Sequence, residues 1–336
     1  MEMQTDFSLK HYNTFGIDAR AGHYARFSTT EELMELLEVK PFDGKDTILL
    51  GGGSNILFTK DPSAVLKNEV TGIEKTAEDA DHVYVRAGAG ENWHGLVTYC
   101  IDHDWAGIEN LSLIPGSAGA GPMQNIGAYG VEIKDVFHSL EAFHLGDKAM
   151  VTFSNADCAF GYRESVFKNK YKGQFVIVNV TLRLNKIPSY NISYGAIEKE
   201  LEAMGATQPD IHLISRAVIN IRSSKLPDPQ KIGNAGSFFK NPEVSAEEYA
   251  RLEKDFPGLV AYPVNRGFKL AAGWLIEQCG WKGYRDGDAG VHAKQALVLV
   301  NYGNASGQDI YRLSEKILQS VQEKFGISLQ REVNIV

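Results

Sequence analysis

Apolar residues along the chain follow two spacings, one typical of strands and one typical of helices. Alternating or continuous apolar runs predict strands at residues 23–28, 46–50, 64–70, 82–88, 175–185, 296–303 and 330–336. Apolar residues three or four positions apart predict helices at residues 29–39, 92–103, 245–256, 270–280 and 308–326. Because these strands and helices do not follow a regular βαβ order, the pattern predicts the α+β fold class.

Individual residues mark the bounds of these elements. Thr29 and Ser245 each precede a glutamate by three residues, which is the spacing of a capping box at a helix start. Gly280 and Gly326 follow helical patterns and are expected to end them. Within residues 175–185, strand alternation would place five side chains on one face: Val176, Val178, Val180, Leu182 and Leu184.

Length and composition indicate a soluble enzyme of more than one domain. The 336 residues exceed what one hydrophobic core usually organises, and the prolines of residues 223–229 (SSKLPDP) suggest a domain boundary. The chain is 43% hydrophobic and 23% charged, as globular enzymes are. Its net charge of −8, without a long basic run, argues against nucleic acid and against an anionic membrane surface as partners.

Targeting signals and metal-ligand spacings are missing from the sequence. The opening MEMQTDFSLK does not resemble a signal peptide, and no stretch approaches the roughly 20 apolar residues of a membrane span, so we expect a cytoplasmic protein. Cys100, Cys158 and Cys279 lie far apart, which predicts reduced, packed thiols. The histidines show no ligand spacing such as HExxH, so we expect no metal.

Two glycine-rich segments are candidates for binding a phosphate-bearing ligand. GGGSNIL at residues 51–57 follows a predicted strand and is either an anion-binding nest of backbone N–H groups or a tight turn. Residues 114–130 contain too much glycine for a helix or sheet interior and predict an ordered loop. Rossmann and P-loop motifs are missing, since Pro122 stands where a P-loop has lysine. The two loops either hold one long dinucleotide such as FAD or are unrelated.

Three polar residues are catalytic candidates with ordinary alternatives. Ser237 lies among small residues in GNAGSFFKNP without the GxSxG motif of many hydrolases. Arg163 in FGYRESVFK either binds a carboxylate or phosphate, or forms a structural ion pair with Glu164. Glu332 in QREVNIV indicates little by itself.

Six motifs in one order resemble the UDP-N-acetylenolpyruvoylglucosamine reductase family, from about Asn13 to Glu332. The motifs are NTFGIDARA, LGGGSNILF, IPGSAGAGPMQNIGAYG, FGYRESVFK, GNAGSFFKNP and HAKQALVLVN. FGYRESVFK and the later ISYGAI resemble the form of the family that has an extra tyrosine-bearing substrate loop.

The resemblance implies a fold and a division into domains. It implies a two-part α+β module that binds FAD, which is not a Rossmann fold, and a third α+β domain that binds substrate. The parts would be residues 1–70, residues 71–224 and residues 225–326, and a C-terminal strand at residues 327–336 would return to the second part.

The resemblance also implies a reaction in peptidoglycan precursor synthesis. NADPH would reduce a non-covalently bound FAD, and the reduced flavin would pass a hydride to C3 of UDP-N-acetylglucosamine enolpyruvate. Ser237 would then protonate C2, while Arg163 and Glu332 hold the substrate carboxylate. A flavin oxidase and a non-catalytic binder of nucleotide sugars are the alternatives, and we expect a monomer.

Further residues receive roles from the same resemblance. Cofactor binding is expected of Gly51, Gly52, Gly53, Ser54, Asn55, Gly116, Ser117 and Gly127. Substrate binding is expected of Tyr162, Tyr194, Lys225, Asn241 and Gln295.

Overall fold

The computed structural model describes residues 2–43 and 46–336, and its internal contacts divide the chain into two compact units. Unit 1 comprises the described residues of Met1–Phe7, Ala21–Gly52 and Pro62–Ser224. Unit 2 comprises Ser8–Arg20, Gly53–Asp61 and Lys225–Val336. The three-part division implied by the family resemblance stays a prediction.

The described residues form short strands and mostly short helices. The strands are β1 Gln4–Ser8, β2 Arg20–Phe27, β3 Thr47–Leu50, β4 Ile56–Leu57, β5 Ala64–Asn68, β6 Ile73–Glu78, β7 His82–Gly88, β8 Gly127–Ala128, β9 Val131–Glu132, β10 Phe137–His144, β11 Ala149–Ser154, β12 Phe175–Asn185, β13 Gly233–Ser237, β14 Glu243–Val244, β15 Ala261–Val264, β16 Gly267–Leu270, β17 Arg285–Asp286, β18 Ala289–Val291, β19 Val298–Asn301 and β20 Asn334–Ile335. The helices are α1 Thr30–Leu37, α2 Trp93–Asp102, α3 Ala120–Met123, α4 Gly195–Ala203, α5 Ile211–Lys225, α6 Ala246–Asp255, α7 Ala272–Gln278 and α8 Gly307–Phe325. Single 3-10 turns occur at Lys10–Tyr12, Glu109–Leu111 and Ile133–Asp135.

Unit 1 contains two principal sheets. The first has the strand order β1-β2-β5-β3, in which β5 runs parallel to both β2 and β3. The second is an antiparallel sheet with the order β11-β10-β12-β7-β6, and α2 packs in the core on its buried face. Strands predicted from alternation therefore form both sheets, and the α+β class is confirmed.

The predicted single apolar face of β12 is wrong. Val176 and Val178 belong to the core beneath the first sheet, whereas Val180, Leu182 and Leu184 belong to the core around α2. The cause is a β-bulge, because Glu141 and its neighbour Ala142 in β10 oppose Asn179 and Ile177, so that Val178 is an extra residue. One extra residue reverses the alternation beyond it.

Unit 2 is built from small sheets against a long amphipathic helix. The strand orders are β13-β19-β18-β17 and β14-β16-β15, and α8 packs on β18 and β19. The C-terminal strand is shorter than predicted and consists of β20, which pairs in parallel with β4. The C-terminus thus pairs with a strand of residues 1–70 rather than returning to residues 71–224 as the resemblance implied.

The helix-start signals of the sequence are confirmed. The hydroxyl of Thr29 accepts the backbone N–H of Glu32, and the hydroxyl of Ser245 accepts the N–H of Glu248. Gly326 ends α8 with a φ of 72°, in the left-handed region that glycine adopts without strain. None of the helices in the described part of the chain has the length and apolar character needed to cross a bilayer.

Candidate active site

The two glycine-rich loops of the sequence lie against each other in unit 1. β3 ends at Leu50, and a Cβ atom added to Gly52 would lie 2.7 Å from the Cα of Gly116. A Cβ added to Gly51 would lie 2.6 Å from the Oγ of Ser117, and the Gly52 N–H donates to that oxygen at 3.3 Å. Close approach of the Gly116 backbone therefore requires glycine at Gly52, whereas at Gly51 a side chain would displace the Ser117 hydroxyl.

A third loop, residues 88–93, supports the second glycine-rich segment. The N–H of Ala118 donates to the carbonyl of Glu91 at 2.8 Å, and the N–H of Trp93 donates to the carbonyl of Gly116 at 3.0 Å. Gly119 also approaches Ala89 closely, since an added Cβ would lie 2.5 Å from the Ala89 side chain. Residues 114–130, predicted as a loop, contain the one-turn helix α3 and the short strand β8 as well.

The continuation of the first glycine loop belongs to unit 2. Gly53 has a φ of 64°, and its added Cβ would lie 2.0 Å from the carbonyl oxygen of Tyr12. Its own carbonyl accepts the N–H of Thr14 at 3.0 Å. Ser54 follows, and the side-chain amide of Asn55 donates to the carbonyl of Glu332 at 3.3 Å.

Arg163 lies at the tip of a tight turn in unit 1. Gly161 and Glu164 form a two-way backbone bridge, so that Tyr162 and Arg163 project between them. Arg163 has a φ of 54°, a strained value for a residue with a side chain. Its Nη2 donates to the carbonyl of Gly127 at 2.7 Å, and its guanidinium lies 5.4 Å from the ring centre of Tyr162. The structure therefore brings the predicted residues Tyr162, Arg163 and Gly127 together.

Buried polar contacts hold this turn against the second glycine-rich segment. The buried Asn125 donates to the Gly161 carbonyl at 2.9 Å and to the Glu132 carboxylate at 3.0 Å. The hydroxyl of Ser165 donates to the carbonyl of Met123 at 2.6 Å. Arg163 is thus positioned by neighbours whose hydrogen bonds fix the turn on both sides.

A second arginine, Arg222 of α5, lies near Arg163 and was missed by sequence reasoning. Its Nε donates to the carbonyl of Leu113 at 3.3 Å, and its guanidinium also hydrogen-bonds the Tyr129 hydroxyl. Burial lowers the pKa of Arg222, and the Arg163 charge lowers it further. No ion pair joins Arg222 to a carboxylate in residues 2–43 and 46–336. Two neighbouring guanidiniums favour an anionic ligand.

Tyr129 and Tyr194 of unit 1 lie at this cationic cluster. Tyr194, the residue before α4, is 46% exposed and makes an edge-to-face contact with Tyr129, with ring centres 5.4 Å apart. Burial raises the pKa of Tyr129, while Arg222 opposes the shift. His94 accepts the Leu113 N–H at 3.0 Å on Nδ1, and burial together with the Arg222 charge lowers its pKa.

Ser237 ends β13 in unit 2 with an exposed side chain. The strand pairing with β19 shifts between Asn234 and Ser237, and Gly236 has a φ of 69°, so a bulge presents the serine. The next two side chains, Phe238 and Phe239, are fully buried. Within the described part of the chain the Ser237 hydroxyl makes no hydrogen bond, so it is not hydrogen-bonded to a base.

Glu332 is brought beside Ser237 by backbone pairing within unit 2. The Glu332 N–H donates to the carbonyl of Phe238 at 2.8 Å, and the Lys240 N–H donates to the carbonyl of Gln330 at 2.8 Å. The side chain of Arg331 packs over the Tyr311 ring of α8 at 4.6 Å.

Two predicted substrate residues meet at the first turn of α7. The Oδ1 of Asn241 accepts the N–H of Ala272 at 2.9 Å. The Oε1 of Gln295 would lie 3.1 Å from a Cβ on Gly273, and it accepts the Leu297 N–H at 3.3 Å. Lys225, the last residue of α5, is exposed.

Comparisons with known proteins agree over the whole chain. Residues 228–336 match the model of the UDP-N-acetylenolpyruvoylglucosamine reductase C-terminal domain, and residues 21–153 match an FAD binding domain. The chain is 49% identical to UDP-N-acetylenolpyruvoylglucosamine reductase from Flavobacterium johnsoniae over 339 residues, which cover 100% of both chains. It is 49% identical to the same enzyme from Chromobacterium violaceum, covering 99% of this chain and 98% of that one.

A solved structure gives the same result. The crystal structure of UDP-N-acetylenolpyruvylglucosamine reductase from Thermus caldophilus is similar with a TM-score of 0.68 and 25% identity, covering 99% of this chain and 98% of that chain. Sequence identity near one half over full length exceeds what a shared fold alone produces. The chain therefore belongs to the UDP-N-acetylenolpyruvoylglucosamine reductase family.

Proposed function

We propose that the protein reduces UDP-N-acetylglucosamine enolpyruvate to UDP-N-acetylmuramate in peptidoglycan precursor synthesis. FAD is the non-covalent cofactor and NADPH is the reductant. The observation that carries the proposal is the pairing of residues 238–240 with residues 330–332, because it sets an unpartnered serine hydroxyl beside a glutamate. A serine hydroxyl that is hydrogen-bonded to no base is suited to donate a proton rather than to attack as a nucleophile, and we assign Glu332 to the substrate carboxylate.

The glycine loops of unit 1 fit the phosphates of FAD. Gly51 and Gly52 pack directly on Gly116 and Ser117, so the lining there consists of backbone and the short Ser117 side chain. Such a lining binds the oxygens of a diphosphate. FAD bound there would supply the redox chemistry, taking a hydride from NADPH for transfer to C3 of the enolpyruvyl group.

Ser237 supplies the proton that completes the reduction. Addition of a hydride to C3 leaves carbanion character at C2, delocalised into the substrate carboxylate. This carbon is basic enough to take a proton from a hydroxyl, and the buried Phe238 and Phe239 behind Ser237 keep bulk water from its backbone. The resulting alkoxide is reprotonated by solvent, since the Ser237 side chain is exposed.

Arg163 binds the substrate carboxylate while charge develops on it, and Glu332 in its protonated form donates a hydrogen bond to the same group. A positively charged, preorganised group lowers the energy of that state, and the constrained turn of residues 161–164 supplies the preorganisation. Arg222 adds a second positive charge next to Arg163. We assign Tyr194, Lys225, Asn241 and Gln295 to the sugar nucleotide and its diphosphate.

Product analysis under nitrogen tests the proposed function. One equivalent of NADPH should be oxidised for each enolpyruvyl substrate consumed, and the product mass should exceed the substrate mass by two hydrogens. A flavin oxidase would instead consume NADPH only when oxygen is admitted and would leave the enolpyruvyl group intact. We also propose that the enzyme is a cytoplasmic monomer, which sedimentation in solution and cell fractionation test.

A further inference from the structure

Lys67 is a cation behind the first glycine loop that the sequence motifs left without a role. It lies on β5, between β2 and β3, and pairs in register with Leu50, the last residue of β3. Its side chain is partly buried, and its Nζ donates to the carbonyl of Gly51 at 2.9 Å and to the carbonyl of Asn68 at 3.4 Å. The ammonium is thus fixed directly behind the segment assigned to FAD.

The charge of Lys67 has no carboxylate partner in residues 2–43 and 46–336. The carboxylate of Glu69 interacts electrostatically with Lys67, but it lies 3.9 Å from the guanidinium of Arg26. Burial lowers the pKa of Lys67, and Glu69 opposes that shift. A partly buried ammonium that hydrogen-bonds only carbonyls is costly unless a bound anion compensates it.

A short chain of hydrogen bonds connects Lys67 to the surface of the loop. In a trans peptide the carbonyl of one residue and the N–H of the next point in opposite directions. The carbonyl of Gly51 accepts from Lys67, and the N–H of Gly52 on the other side of the same peptide donates to Ser117 Oγ at 3.3 Å. A cation on the carbonyl polarises the peptide and strengthens the donation by its N–H.

The Ser117 hydroxyl is the last group in this series of hydrogen bonds, and its O–H can still donate. The side chain is buried, and its oxygen accepts from Gly52. Its O–H has no acceptor among the residues that the structure describes. An oxygen that already accepts one N–H directs its own hydrogen elsewhere, and a phosphate oxygen is the acceptor that this position favours.

We infer that Lys67 is a positioning residue of the cofactor site: through the Gly51–Gly52 peptide it orients and polarises the Ser117 hydroxyl toward an anionic oxygen of the FAD diphosphate. The inference rests on the proposed function for the identity of the dinucleotide. Lys67 itself does not contact the cofactor, but the contact between Ser117 and the cofactor depends on Lys67.

The test is a double-mutant cycle on FAD binding. The deflavinated protein and its variants Lys67→Met, Ser117→Ala and the double variant are titrated with FAD, and the quenching of flavin fluorescence gives Kd. Lys75→Met, which removes an exposed lysine of β6, is the matched control and should bind like the wild type. Each single variant should bind FAD about 10-fold more weakly than the wild type. The double variant should also lose only about 10-fold, because the two substitutions interrupt the same series of hydrogen bonds.

Four results would overturn the inference, and they are distinguishable. Unchanged Kd for Lys67→Met shows that the ammonium is irrelevant, and a double variant weakened about 100-fold shows that the two residues act separately. A wild-type protein that binds no FAD overturns the proposed function and this inference with it. If Lys67→Met lowers the unfolding temperature of the apoprotein, Lys67→Gln replaces it, because glutamine keeps a neutral hydrogen-bond donor. Lys67→Gln should also bind FAD about 10-fold more weakly than the wild type. Wild-type affinity in Lys67→Gln would contradict the role of the charge.

Discussion

Replacement of Ser237 by alanine should affect the reaction rate without affecting stability, because the hydroxyl contributes little to the fold. The side chain is exposed, ends β13 and makes no hydrogen bond within the described part of the chain. Alanine removes one oxygen atom and leaves the backbone pairing with Glu332 in place. The unfolding free energy should change by no more than about 0.5 kcal/mol.

The chemical effect of the same change should be much larger. A positioned general acid contributes about 10²- to 10⁴-fold to a rate. At about 1.4 kcal/mol for each factor of ten, this is about 3–6 kcal/mol of lost transition-state stabilisation. The loss should fall only on the step that protonates C2, because hydride transfer from NADPH does not involve Ser237.

Anaerobic stopped-flow spectroscopy measures the two half-reactions one at a time. In Ser237→Ala, reduction by NADPH should keep the wild-type rate, and reoxidation by the enolpyruvyl substrate should fall about 100-fold or more. Ser245→Ala is the matched control, since it removes a helix cap of α6 and should cost about 1 kcal/mol of stability without slowing either half-reaction. Reoxidation of Ser237→Ala within a few-fold of the wild-type rate would refute the assignment of the acid.

Other changes give separate tests. Gly52→Ala should abolish tight FAD binding and cost about 1–3 kcal/mol of stability, because the added Cβ would lie 2.7 Å from the Gly116 backbone. Wild-type affinity for FAD in a fluorescence titration would show that close packing of Gly52 on Gly116 is not required for binding. Arg222→Met should weaken binding of the enolpyruvyl substrate about 10- to 100-fold, measured calorimetrically, and an unchanged Kd would show that the cluster does not bind it. The pKa of His94 is lowered in the folded state, so the unfolded chain takes up a proton at a higher pH and the stability of the fold decreases as the pH drops below about 6.5. In His94→Gln, the loss of stability between pH 7.5 and pH 5.5, measured by thermal unfolding, should be smaller than in the wild type. An equal loss in both proteins would exclude His94 as its source.

Local sequence signals predicted the parts of the fold that depend on neighbouring residues. The caps at Thr29 and Ser245 and the glycine end of α8 require only a few adjacent positions, and they were right. The alternation of β12 was wrong because its bulge depends on the partner strand β10, which is distant in sequence. Helix α5 was missed, since its isoleucines and valine are residues that also favour strands.

The candidate site shows the same limit. Glycine content predicted two loops as candidates for ligand binding, but not that Gly52 packs directly on Gly116, because that contact joins segments far apart in the chain. The roles of Ser237 and Glu332 are predictions from family motifs, and the structure adds that residues 238–240 pair with residues 330–332. Arg222 and Lys67 carry no motif, and only their missing carboxylate partners among the described residues single them out.

The visible spectrum of the purified protein under nitrogen tests the central claim most directly. The account predicts a flavin spectrum whose absorbance is lost on addition of NADPH and restored on addition of UDP-N-acetylglucosamine enolpyruvate. A protein whose spectrum stays reduced after the enolpyruvyl substrate is added, or that shows no flavin after incubation with FAD, would contradict it.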